Sequence, residues 1–158
     1  MPSQAAAIRQ QLEAATAKAV LALTLEVDAN LRRSADAGGT PVDTGHARAN
    51  WVPSVGQPYI GEANSDGDHE AGIQALLSYT LANGPAWVSN NVPYITLLDL
   101  GFSPQAPAGF VEMAIAQALV SVQQKFDNVD MGAAAFLATG GGVAAGNLAA
   151  AYMPEGLP

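Results

Sequence analysis

The side chains able to do chemistry are few and widely spaced. His46 and His69 are the only histidines, and neither has a companion at i+3 or i+4, the spacing at which a helix offers two donors to one metal ion. They read as two surface histidines. The run "NSDGDHE", Asn64 to Glu70, resembles the start of a calcium loop, but the sixth position of such a loop must be glycine and the twelfth glutamate. Counted from Asn64 these are His69 and Ala75, so the match fails and an exposed acidic loop leading into a helix at Glu70 is the better reading. "TGGGVAAG", Thr139 to Gly146, spaces its glycines wrongly for a dinucleotide fold and lacks the lysine of a phosphate loop. "GFSPQ", Gly101 to Gln105, lacks the second glycine of a nucleophile elbow, and no histidine follows it. A hydrolase built on dispersed carboxylates would draw on Asp66, Asp68 or Glu112, because paired carboxylates need not be close in sequence. No catalytic, cofactor-binding or metal-ligating residue is nominated, and the chain reads as a non-enzyme without a cofactor.

The totals narrow the field further. The chain has 158 residues, a length that fits one domain, and it is 49% hydrophobic but only 6% aromatic. Its core must therefore be built mainly of Ala, Leu and Val. There are 14 acids against 6 bases, a formal net charge of -8. That balance excludes a protein that grips nucleic acid through phosphate contacts, though not one that lets DNA pass. Arg9, Lys18, Arg32, Arg33 and Arg48 precede Ala49, and no base follows until Lys125. Such asymmetry suits a subunit whose neighbours cover one end. Without cysteine there is neither a disulfide framework nor a thiolate site, and the first residues lack the basic-then-apolar order of a secretory signal. Synthesis in a host cytoplasm is expected.

Periodicity supplies the elements. Ile8, Leu12, Ala15, Ala19, Leu23, Val27 and Leu31 share one helical face, so residues 4–35 are expected to form one helix of about 48 Å, stopped by Gly38-Gly39 and too long for a domain of this size to bury. Residues 38–51 read as a turn-rich link, 51–55 as an edge strand because of Pro53, and 56–69 as an exposed, mobile loop with little to pack. A second helix is expected over 70–82 and a short strand over 86–89. Pro93 should open a short helix over 94–100 that Gly101 closes, and a fourth helix should span 108–126. The expected class is α+β: a long N-terminal helix and further helices packed on a small antiparallel sheet. Residues 1–127 form that domain, and 128–158 form an Ala/Gly-rich apolar extension. The uncharged stretch 131–153 is long enough for a membrane span, but its Ala/Gly content favours close packing on another chain.

Two stretches stand apart. "TPVDTGHARANW" carries Pro41, Asp43, Thr44, Gly45, Arg48 and Trp51; "NNVPYITLLDLGFSPQAPAG" carries Asn90, Asn91, Pro93, Tyr94, Asp99, Gly101, Ser103, Gln105, Ala106, Pro107 and Gly109. Together, in this order, they resemble the neck, or tail-completion, family of long-tailed bacteriophages, a resemblance that covers about residues 1–126. Asp99 stands where that family commonly has Glu, and the extension after Asn128 lies outside the resemblance.

The resemblance implies a structural virion protein of the head–tail junction. It would form a homo-oligomeric ring, a hexamer or dodecamer, around the DNA channel, between the connector or stopper and the tail terminator. DNA would pass without specific binding and no membrane would be involved. Structural or interface candidates are Asp43, Thr44, Gly45, Arg48, Trp51, Asn91, Pro93, Tyr94, Asp99, Gly101 and Pro107. Their turn chemistry alone also accounts for them as fold-keeping residues: Asp43, Thr44 and Arg48 would cap and pair nearby, and Tyr94 would bury its ring with the hydroxyl at the rim. The alternatives are a tail terminator capping the tube or, in a different class, a soluble binding or inhibitor module or a hydrolase.

Overall fold

The computed structural model describes residues 3–63 and 66–127. Good helix formers and a capping serine set the first element. Helix α1 spans Gln4–Leu31, and the Ser3 hydroxyl accepts from the Ala6 amide at 3.3 Å. It ends short of the expected residue 35 for a tertiary reason. The Leu31 carbonyl accepts from both the amide and the hydroxyl of Thr40, at 3.0 and 2.7 Å, and residues Ala35–Ala37 form a separate 3-10 turn. Sequence propensity alone does not announce that capture.

The expected link then contains a four-residue helix, α2, His46–Ala49. Strand β1, Val52–Val55, pairs antiparallel with β2, Ala86–Ser89, in the register Val52↔Ser89 to Val55↔Ala86. With two strands both are edges, which is where Pro53 is tolerated. Helix α3, Asp66–Leu77, packs on β1 through Gly72 and Leu76, its buried positions. It starts before the expected Glu70 because Asp66 and Asp68 suit the positive end of a helix. It also stops before Ala82: Leu81–Asn83 is a distinct 3-10 turn, where Asn83 Oδ1 accepts from the Thr80 amide and hydroxyl at 2.7 and 2.8 Å.

Helix α4, Ile95–Asp99, begins one residue later than expected, so Pro93 lies in the preceding turn rather than at N1. Its end is a full Schellman motif. Gly101, at φ 86°, donates to the Leu98 carbonyl and Phe102 to that of Leu97, each at 3.1 Å. Helix α5, Phe110–Asp127, closes the described chain.

Helices α1 and α5 run antiparallel. Asn30 Nδ2 donates to the Ala114 carbonyl at 2.9 Å, and one end further along, Lys125 pairs with Glu26 and holds that carboxyl below its usual range. Leu31, Trp51, Phe110 and Ala114 form the buried core, flanked by Val27, Val88, Ile95, Leu98, Val111 and Met113. The indole of Trp51 donates to Thr40 Oγ1 at 2.7 Å, tying core packing to the end of α1. The architecture is α+β, as its sequence implies. With 28 residues α1 is about 42 Å long, while the 18 of α5 reach about 27 Å. The buried positions of α1 are Thr24, Asp28, Asn30 and Leu31, so its N-terminal half projects past its partner. No helix among the described residues is long and apolar enough to cross a membrane. The extension 128–158, with its uncharged stretch 131–153, lies outside the described residues.

Candidate interface cleft

The two stretches that stand apart in the sequence fold against each other. Gln105 Oε1 accepts from the Val42 amide at 2.9 Å, and Asn90 Nδ2 donates to the Ala47 carbonyl at 2.8 Å. Between them lies a cleft of about 360 Å³, lined by Pro41, Asp43, Thr44, Gly45, His46 and Ala47 from the first stretch and Tyr94, Leu98, Ser103 and Gln105 from the second. Its base is apolar and its rim polar.

Each nominated residue has a definite place. Asp43 and Thr44 are exposed on the rim, and Thr44 Oγ1 accepts from the His46 amide at 3.4 Å. Gly45 precedes α2 at φ 86°, a backbone shape that suits glycine. Arg48 is half-buried on α2 and makes no ion pair among the described residues, so its expected pairing is not seen. Its carbonyl and those of Ala49 and Trp51 accept from Arg32 instead, at 3.5, 3.2 and 3.3 Å. Trp51 is not at the surface but in the core. Tyr94 lines the cleft with its side chain 40% exposed, more open than a buried anchor.

Asn91 works away from the cleft, donating to the Tyr59 and Gly61 carbonyls at 2.9 Å each. Asn50 Oδ1 accepts from the Ala63 amide, and His46 Nε2 lies 2.7 Å from Glu62 Oε2. The 56–63 segment is thus exposed as expected, yet held at several points. Pro93 and Pro107 are exposed and shape turns. Asp99 caps α5: its Oδ1 accepts from the Val111 amide at 3.0 Å and its carbonyl from Gly109 at 2.7 Å.

Reading His69 as a surface residue is corrected. Its Nε2 lies 2.8 Å from Asp28 Oδ2, and the two side chains are 19% and 7% exposed. Burial pushes the Asp28 carboxyl above its ordinary range, against the opposing pull of His69 and Arg32. Asp28, Arg32, Thr40, Asn50 and this role of His69 escape sequence reasoning, because each acts on a partner distant in the chain.

The cleft holds no nucleophile hydrogen-bonded to a base. Ser103 Oγ accepts from the Gln105 amide at 3.3 Å, and His46 is engaged by Glu62. Asp66 and Asp68 on α3 and Glu112 on α5 lie outside its lining. No group of three or more acids or histidines among the described residues is placed to hold a metal. Compared with protein-family models, with curated proteins and with solved structures, the chain finds no match in any of the three.

Proposed function

We propose that this chain is a structural subunit of a bacteriophage head–tail junction, one copy of a ring that surrounds the DNA channel and joins the tail to the connector. The carrying observation is the mutual stitching of the two motif stretches through Gln105–Val42 and Asn90–Ala47. It joins the two stretches that resemble the neck family around one cleft. Three further features support the reading. The surface beside the cleft leaves Leu97, Leu100 and Phe102 exposed, as an assembly face would. The α1 end projects beyond its partner helix, as expected of an element that packs on a neighbour. The net charge of -8 gives DNA no counterion-release gain on contact, so DNA slides through without adhering.

Cryo-electron microscopy of virions carrying a label on this chain tests the proposal. The expected result is ring density between the capsid vertex and the tail. Label on the tube side of the junction favours the tail terminator instead, and absence of the chain from particles rejects both.

A further inference from the structure

Two surfaces of this chain, each without a partner among the described residues, are complementary. The first follows from the end of α4. Its Schellman turn brings the Phe102 amide to 3.1 Å from the Leu97 carbonyl, which sets the two side chains beside each other, with Leu100 one turn on from Leu97. The three are 75%, 50% and 61% exposed. The charges around them are mainly acidic. Asp43 is exposed on the adjoining cleft, Glu112 is exposed at the start of α5, and from Ala49 to Gln124 there is neither Lys nor Arg. Asp99 is committed to capping α5, and Arg48, the neighbouring base on α2, is half-buried.

The second surface is the projecting half of α1. Ile8, Leu12 and Ala15 lie on one face at i, i+4 and i+7, and Ile8 is 38% exposed. Arg9 and Lys18 flank this stripe, both exposed, with Glu13 as the acid between them. One surface is therefore apolar with an acidic surround, the other apolar with two bases.

We propose that the N-terminal half of α1 in one copy docks on the α4 face of a second copy. The contact is heterologous: each copy offers a different surface at each end, so it repeats head to tail. It rests on the ring reading only for its closure, since the pairing itself follows from charge and apolar exposure. The cleft rim at Asp43 would then meet Arg9 or Lys18 of the next copy, and Phe102 would be covered by the Ile8 stripe.

The chain contains no cysteine, so single introduced thiols report without background. Full-length Ile8→Cys and Leu100→Cys chains are mixed at high micromolar concentration and treated with a short bis-maleimide. The mixture is expected to yield the cross-linked pair about tenfold above either variant alone. Adding Phe102→Asp to the second chain should lower that yield about tenfold, the worth of one buried anchor. Because Phe102 is exposed, that variant should keep its circular dichroism spectrum. Equal yields in the single-variant samples would place like residues against each other, rather than Ile8 against Leu100, and overturn the proposal. So would the absence of cross-links, or a yield indifferent to Phe102→Asp. A Leu100→Cys thiol that fails to react would mean that the chain's own extension covers the face, which also overturns it. The virion label decides the junction reading separately: cross-linking without virion density sinks that reading and leaves the pairing, while ring density without cross-linking does the reverse.

Discussion

His69 on α3 donates to the carboxylate of Asp28 on α1 across 2.8 Å, and the other Asp28 oxygen, buried, has no partner among the described residues. α3 otherwise leans chiefly on β1, so this bond is its polar tie to the long helix. A half-satisfied buried carboxylate is costly in its charged form.

That cost has a pH signature. Burial raises the Asp28 carboxyl above 3.8, so between that pH and its higher folded value the native state holds a proton that the unfolded chain has lost. Stability from this group is complete below the unfolded value and is lost as pH rises through the folded one. Asp28→Asn has no such proton. Its stability relative to the parent should therefore grow as pH rises from 3.8 through the raised folded value of Asp28, and level off above it. Denaturant melts across that series measure it, and a difference that shrinks with pH contradicts the account.

Thr40 joins the end of α1 to the core. Its hydroxyl donates to the Leu31 carbonyl and accepts from the Trp51 indole, both at 2.7 Å, and the residue is fully buried. Thr40→Val preserves the shape but removes both of these bonds and strands the indole N–H. The expected loss is about 2–4 kcal/mol by urea denaturation. Thr40→Ser keeps both bonds and should lose only about 1 kcal/mol, for the missing methyl group.

These contacts separate what can be read from sequence from what cannot. Strand 86–89, the Gly101 stop and the body of α5 are written locally, in β-formers, in a glycine taking φ 86° and in helical periodicity. The end of α1 is not, because Thr40 captures Leu31 from beyond the intervening turn. Helix α2 is too short, at four residues, for any periodicity to show. The cleft was half legible: its two stretches could be named, but the bonds that unite them span 63 and 43 positions and leave no local trace. Of the two roles open to Trp51, fold-keeping or interface, its ring in the core fits the first.

Gly72 shows how tertiary packing reverses a local preference. Alanine in a helix is ordinarily favoured over glycine by about 1 kcal/mol. Here a Cβ on Gly72 would fall 2.0 Å from the Pro53 carbonyl oxygen, where α3 crosses β1. Gly72→Ala should therefore destabilise by about 1–3 kcal/mol, as overpacking against backbone does. A melting temperature raised by this substitution would mean that α3 sits farther from the strand.

Asp99 explains how α5 begins without a capping side chain of its own. Gly109, just before Phe110, has no side-chain oxygen to offer the first amides, and Asp99 supplies one from 12 positions before Val111. The same residue ends α4, so one carboxylate fixes the angle at which two helices meet beside the exposed Leu97–Phe102 face. Asp99→Ala should cost about 1 kcal/mol, the usual worth of a lost N-cap, and should speed hydrogen exchange at the Val111 amide. Asp99→Asn keeps an accepting oxygen and should cost less, losing mainly the favourable charge at the helix start. Glutamate places its carboxylate one methylene farther out, so Asp99→Glu should retain the bond only if α4 and α5 shift apart slightly. Exchange at Val111 intermediate between the parent and Asp99→Ala is the expected reading. Exchange unchanged in Asp99→Ala would remove Asp99 from the capping role.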